Sequence, residues 1–489
     1  MKALLDACVN PQHLNTTVLS TPDRDYTARD FIEGKNRVLE MLGPGVDLSG
    51  QRVVLLIPDV FHYASVIFAV NERGGVLVPL SLQYRAGDLS AVLDAVKPHY
   101  IFTISELPGV SFSRLIRDWQ RQSGVQCTIY EANNEYEWQR TDFPGVPAVK
   151  DDLYRDFIFF TSGSTGIPKG VVVGQENLIP YLEVYPRMLN MKSTDRLFNV
   201  PPLTLVAGFC GLLSAIHTGF RFVVPGKFDL PQIAQTMKRT GCNKILSTPS
   251  ILKALYTMTQ HLEPGVFQNL DECYLVGEMV SEGAVNEFAL LKHARFIGVL
   301  ALSEAGGVMT ADLRGKLEWK PDSSVQVKFL KENGMSELLV KTPTLFKNYY
   351  NQPGMTRDAV TEDGWLKTGD LAEPSEGGKI VLIGRKKDLI KKGGAQVVPG
   401  EVEKVLTDHP CIVQAAVVGV PHPVFGEMVV AFVVADSPFE HAELYEHCKT
   451  RIARYKVPDH IEIIESLPLI SGKTDKVALR QLYAEQDHR

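Results

Sequence analysis

The stretch Phe157–Val173 (FIFFTSGSTGIPKGVVV) constrains this chain most: two apolar runs of strand length flank Ser, Thr and Gly residues that end in a lysine. Small residues let backbone N–H groups converge on an anion, and hydroxyls add further donors or touch a metal. Lys169 adds a mobile positive charge. The plain alternative is a Gly/Ser-rich turn between two strands. A Walker loop is excluded, because no Gly-Lys-Ser/Thr follows the glycines at the required distance.

Around this stretch the chain alternates strand and helix patterns. Asp30–Leu42 has helical spacing, and Val53–Ile57 (VVLLI) is a continuous aliphatic run of the kind buried on both faces of a parallel sheet. A helix over Tyr63–Arg73, a strand over Val76–Leu80, a helix over Leu89–Val96 and a strand over Tyr100–Thr103 follow. This is βαβ grammar, and it resumes from Phe157 to Val299. After about Leu317 the texture changes to short strands (Val325–Leu330, Glu337–Lys341, Lys379–Ile383) separated by turns. Beyond the basic run Arg385–Lys392 comes a small pattern: helix Pro399–Thr407, strands Ile412–Val420 and Glu427–Ala435, helix Ala442–Ala453, strand His460–Ile464. The predicted class is α/β. Residues 1–384 form a large N-terminal α/β region with a β-rich subdomain, and residues 385–489 a small C-terminal α+β domain, with a hinge near Gly384–Lys387.

Length agrees with this division, since 489 residues exceed what one core of roughly 250–300 residues holds. The net charge of −6 gives no basic footprint for nucleic acid. Seven scattered cysteines, without a CxxC or Cys/His cluster, make neither a disulfide framework nor a zinc site. The first residues lack the apolar stretch of a signal peptide, and no run reaches the roughly 20 apolar residues of a membrane span. A cytoplasmic protein is expected. Two decoys fail on context. Ser471–Thr474 ends like a Walker loop but has Leu467 where the first glycine belongs. Gly43-Pro44-Gly45 opens like a dinucleotide fingerprint but has Leu48 at the third glycine and precedes its strand.

From about Tyr26 to Arg480 the chain resembles the adenylate-forming superfamily of acyl- and aryl-CoA ligases, amino-acid-adenylating domains and luciferases. Four motifs in order carry the resemblance. They are the phosphate loop Thr161–Gly170 (TSGSTGIPKG), the ribose motif Gly364–Asp370 (GWLKTGD), the hinge Gly384–Glu403 (GRKKDLIKKGGAQVVPGEVE) and the lysine motif at Gly472-Lys473. The resemblance implies activation of a carboxylic acid by ATP to an acyl-adenylate, then capture by a thiol. It assigns Thr161, Ser162, Gly163, Ser164, Thr165 and Gly166 to the β/γ-phosphates, and Lys169 to pyrophosphate departure. Thr165 and Glu304 would meet Mg²⁺, Gly277, Glu278, Leu300 and Ser303 the adenine, and Asp370 the ribose hydroxyls, with Arg385 in support. Lys473 would bridge the attacking carboxylate and the α-phosphate, and Lys387 would be the pivot of the small domain.

Departures from the family pattern are informative. The adenine motif reads Leu300-Ala301-Leu302-Ser303-Glu304, with Leu300 where the family carries an aromatic ring. Adenine would then lose about 0.5–1.5 kcal/mol of stacking. The loop before Lys473 is one residue shorter than usual, and Thr474 replaces an aliphatic residue. No charged residue occurs in Pro201–Leu213 (PPLTLVAGFCGLL), so nothing there pairs the ammonium of an α-amino acid, which would cost several kcal/mol to bury alone. Leu205, Val206, Gly208 and Phe209, with Gly306 and Gly307 opposite, predict a roomy pocket for an apolar or aromatic acid; plain core packing is the alternative. The acceptor is expected to be coenzyme A, whose phosphates Lys386, Lys391 and Lys392 could meet. A carrier-protein phosphopantetheine arm is the alternative, and a non-catalytic nucleotide-binding homologue a third reading.

Overall fold

In the computed structural model, residues 2–161, 169–226, 229–262, 264–277, 285–332, 334–470 and 473–486 are described. The chain folds as a mixed α/β protein around two nine-stranded sheets. One has a parallel centre built from Arg295–Leu302, Glu272–Val276, Lys244–Ser247, Arg196–Asn199, Arg221–Val223 and Thr17–Ser20. The other has Val76–Pro79, Arg52–Leu56, Tyr100–Ile104 and Val125–Ala132 in parallel, with the strands of the predicted loop hairpin beside Val76–Pro79. Every residue of Arg52–Leu56 is buried, as its unbroken apolar run requires of a strand covered on both faces.

Local signals explain the helix ends. Thr27 and Asp30 form a capping box at the start of Ala28–Leu42, and Gly43 ends that helix at φ +95°. Asp59 accepts the N–H of His62 at the start of Val60–Glu72. The helices Val60–Glu72 and Val206–Thr218 are apolar nearly all round and lie in a core cluster shared by both large sheets. Tyr63 crosses that core to donate to the Leu203 carbonyl at 3.0 Å.

A four-stranded antiparallel sheet follows, ordered Gln326–Glu332, Met335–Lys341, Leu366–Pro374, Ile380–Arg385. The last five-stranded sheet holds Ile390–Lys392, Ala395–Val397, Ile412–His422, Gly426–Ala435 and His460–Ile463. Its two apolar clusters draw only on residues from Ile390 onward. Helix Pro399–Thr407 matches its sequence expectation, whereas Ala442–Ala453 is shortened to His441–Lys449. The expectation missed the antiparallel strand Trp138–Phe143, the short strand Asn348–Tyr349 and the terminal helix Lys476–Gln486. Among the described residues no helix is long and apolar enough to cross a membrane. All seven cysteines are free, and every one except Cys411 is buried.

Candidate active site

The stretch read first in the sequence is a β-hairpin. Phe157–Thr161 pairs with Lys169–Val173 in antiparallel register, with Thr161 opposite Lys169 at its mouth. Ser162, Gly163, Ser164, Thr165 and Gly166, between the two strands in sequence, lie outside the described residues, as does Glu278. What is described is how the hairpin is tied to the neighbouring sheet. The short strand Asn348–Tyr349 pairs with Val171–Val172, and Lys347 N–H and Tyr350 N–H donate to the Val172 and Gly170 carbonyls at 2.8 Å each. Farther along the same strap, Thr344 Oγ1 donates to the Ala305 carbonyl at 2.6 Å and Phe346 N–H to the Glu304 carbonyl at 2.7 Å.

This strap places one side chain between two expected site residues. Tyr349 Oη donates to Glu304 Oε1 at 2.7 Å, and Lys169 Nζ lies 5.7 Å from the centre of the Tyr349 ring. Burial pushes the Tyr349 phenol up, and the adjacent Glu304 carboxylate pushes it further, so the hydroxyl remains a donor. Tyr349 had no periodic or motif signal, because its role comes from tertiary pairing. The strap is itself anchored: Lys347 Nζ lies 2.8 Å from Asp156 Oδ1, on a fully buried carboxylate, and 2.9 Å from Glu176 Oε1.

The ribose motif is a bulge. Glu337 faces Leu371 and Leu339 faces Lys367, so Thr368, Gly369 and Asp370 stand opposite Leu338 alone. Side chains replace the lost ladder bonds. Thr368 Oγ1 donates to the Leu338 carbonyl at 2.8 Å and accepts Asp370 N–H at 3.0 Å, and Glu337 Oε1 accepts Gly369 N–H at 3.1 Å. Gly369 sits at φ +72°, where a Cβ would be strained. The bulge holds Asp370 with Oδ1 2.6 Å from Arg385 Nε, its partner across the sheet. Asp370 Oδ2 is buried without a hydrogen-bond partner among the described residues. Burial raises the Asp370 carboxyl pKa above the usual range and Arg385 opposes that rise. An unpartnered buried acceptor beside a guanidinium fits a ligand bearing hydroxyl donors, as a ribose does.

Four parallel strands end on one edge of the first sheet, at Asn199, Ser247, Val276 and Leu302. Ligands of open α/β sheets bind outside such carboxyl ends. Gly277 follows there at φ +88°, and the nearest atom a Cβ would meet is 3.8 Å away, on Thr248. Leu300 is half-buried at a bulge opposite Met309, and Ser303 and Glu304 occupy the turn that follows. Among the described residues no group of three His, Cys, Asp or Glu could hold a metal. Glu304 alone still fits Mg²⁺, which keeps several waters and takes one or two carboxylates plus substrate phosphates.

The expected acid pocket has an apolar lining, and each of its three glycines has a close neighbour. A Cβ on Gly306 would lie 2.1 Å from Tyr181 Oη, one on Gly307 2.6 Å from Met188 Sδ, and one on Gly208 2.3 Å from the Pro202 carbonyl oxygen. Each glycine admits a neighbour where a Cβ would otherwise stand. Phe209 and Val206 are buried, Phe209 against Phe157 at 5.2 Å between ring centres, so both belong to the core. Leu205, at the start of that helix, remains 37% exposed. In the basic run after Arg385, Lys391 is exposed and two lysines have carboxylate partners. Lys386 pairs with Glu332 and Glu337 at 2.8 Å each, and Lys392 with Asp459 at 2.6 Å. Lys387 is exposed in the turn Lys386–Asp388. The backbone of Lys473 pairs with Ile470 in a two-stranded ladder.

Residues 7–350 match the family described as AMP-binding enzyme, and residues 401–473 match the AMP-binding enzyme C-terminal domain. A long-chain-fatty-acid–CoA ligase of Mycobacterium tuberculosis is 28% identical over 98% of this chain and 97% of its own. A 2-succinylbenzoate–CoA ligase of Bacillus cereus is 26% identical over 97% of this chain and 99% of its own. Among solved structures, ATP-bound MatB from Rhodopseudomonas palustris superposes with a TM-score of 0.83 at 21% identity, covering 99% of each chain. At that identity it speaks for the fold alone. The family match spans the loop hairpin, Glu304 and Tyr349 together, and the chain belongs to the AMP-binding enzymes of the adenylate-forming superfamily.

Proposed function

We propose that this chain is an AMP-forming acid–thiol ligase acting on an apolar or aromatic carboxylic acid. In the first step a carboxylate oxygen attacks the α-phosphorus of ATP, the bond to pyrophosphate breaks, and an acyl-adenylate forms. In the second, the thiol of coenzyme A attacks the acyl carbon, AMP leaves with the bonding pair, and the thiol proton passes to solvent. Both steps move negative charge, so positioning and fixed cations account for most of the catalysis.

The observation that carries the reading is Asp370: a buried carboxylate with one oxygen on Arg385 and the other without a partner among the described residues, at the bulge where a nucleotide ribose is expected. The near full-length relatives named as CoA ligases support the second step. Roles follow residue by residue. Thr161 and residues 162–166 cradle the β/γ-phosphates, and Lys169 at the hairpin mouth assists pyrophosphate departure. Glu304 and Thr165 would hold Mg²⁺, which would supply positive charge to the phosphate oxygens. Gly277, Glu278, Leu300 and Ser303 border the adenine, Asp370 and Arg385 hold the ribose, and Lys473 bridges carboxylate and α-phosphate. Leu205 borders the acid, with Tyr181 and Met188 backing Gly306 and Gly307. Residues 385–489 act as a lid turning at Lys387 over the body 1–384, and nucleotide use together with free cysteines supports a cytoplasmic place.

ATP–pyrophosphate exchange across a panel of acids tests this. Exchange is expected with aromatic and apolar acids and to be lost in Lys473→Ala. Strong exchange with α-amino acids alone would sink the substrate class. Thioester formed on a holo carrier protein but not on coenzyme A would replace the acceptor.

A further inference from the structure

Glu337 joins the ribose bulge to the start of the hinge. It is 5% exposed, and both carboxylate oxygens are used: Oε1 accepts Gly369 N–H at 3.1 Å and Oε2 lies 2.8 Å from Lys386 Nζ. Gly369 precedes the ribose aspartate, and Lys386 precedes the pivot Lys387. The strand pair bulges here, and this side chain meets the Gly369 N–H at the bulge. Asp370 and Arg385 pair alongside, so two adjacent links run between the same two segments. Lys386 has a second partner, exposed Glu332 at 2.8 Å. A buried carboxylate shared by a backbone N–H and an ammonium links the two: turning from Gly369 strands that N–H, and turning from Lys386 leaves the ammonium to Glu332 and water.

We propose that Glu337 is a positioning residue that couples ribose occupancy at Asp370 to the hinge through Lys386. The inference rests on the proposed ribose role of Asp370 and on Lys387 as pivot. Ribose binding fixes Gly369 and Asp370, which fixes Glu337, which holds Lys386 and so favours the domain arrangement used for adenylation. Release of that hold accompanies the turn toward thioester formation.

The test measures the two half-reactions separately in the full-length protein: ATP–pyrophosphate exchange, and thioester formation from preformed acyl-adenylate at saturating coenzyme A. Lys386→Gln leaves Gly369 its acceptor, so KM for ATP is expected within about twofold of wild type. The ratio of the two half-reaction rates is expected to shift at least threefold. Glu337→Gln, whose amide oxygen still accepts Gly369 N–H, must reproduce that shift with Lys386 intact, which separates the clamp from any direct contact of Lys386 with coenzyme A. The double variant is expected to go no further than either single one. Glu337→Ala adds a rise in KM for ATP of about fivefold. An unchanged ratio in Lys386→Gln and Glu337→Gln, or an equal fall in both half-reactions, overturns the coupling. Absence of acid-dependent exchange in the wild type overturns the ligase reading and the coupling together, whereas intact exchange with an unchanged ratio overturns the coupling alone.

Discussion

The phosphate hairpin and the ribose bulge hold their working groups by opposite means. The hairpin pairs Phe157–Thr161 with Lys169–Val173 in a regular ladder, and its restraint comes from far away in sequence, through the strap that ends in Tyr349. The bulge is an interrupted ladder whose restraint is largely local, through Thr368 and Gly369, with Glu337 and Arg385 completing it. A regular ladder fixes its own strands but needs an outside brace to place a side chain against a distant residue. An irregular element can aim one side chain from within.

The comparison can be broken from either side. On the hairpin side, Lys347→Met removes the cation from the fully buried Asp156 and is expected to cost about 2–3 kcal/mol, somewhat less than a wholly buried pair because Lys347 is partly exposed. Chemical denaturation measures it, and a loss below half a kcal/mol would show that the strap needs no anchor. On the bulge side, Asp370→Ala removes the ribose acceptor, and KM for ATP is expected to rise on the order of 100-fold, as for the loss of charge-assisted bonds. A rise below threefold would remove the ribose from Asp370.

A milder change sharpens the contrast. Tyr349→Phe deletes the hydrogen bond to Glu304 while keeping the ring beneath Lys169, so kcat for exchange is expected to fall about fivefold to tenfold with KM for ATP little altered. An unchanged kcat would mean that Glu304 orients itself. The smallest effect concerns pH. Burial raises the Asp370 carboxyl, so the folded chain binds that proton more tightly than the unfolded chain does. Its contribution to stability is therefore present below the ordinary aspartate value, about 3.9, and fades as pH rises through the elevated folded value. Asp370→Asn is expected to flatten the dependence of Tm on pH across that interval, and a steeper dependence would reverse the sign.

Much of this could be read before the structure. The hairpin, the strands Arg52–Leu56 and Ile412–His422 and the helix Pro399–Thr407 follow from apolar runs and turn residues, which are local signals. Gly306 and Gly307 show where such reading stops. A glycine pair announces a close approach but not by whom, and Tyr181 and Met188 sit more than a hundred residues away. Tyr349 and Glu337 were hidden for the same reason, since pairing across strands decides what each side chain meets. Thr368-Gly369-Asp370 was legible as a motif, and the bulge supplies its physical cause.

The central claim is that one chain joins acid activation to thioester formation with AMP as the nucleotide product. Incubating the purified protein with ATP, Mg²⁺, an aromatic acid and coenzyme A, then quantifying nucleotides and thioester by mass spectrometry, tests it most directly. The account predicts AMP, pyrophosphate and acyl-CoA in equal amounts, and none of them in Lys473→Ala. ADP and phosphate as products, or AMP released at the same rate without any acid, would contradict it.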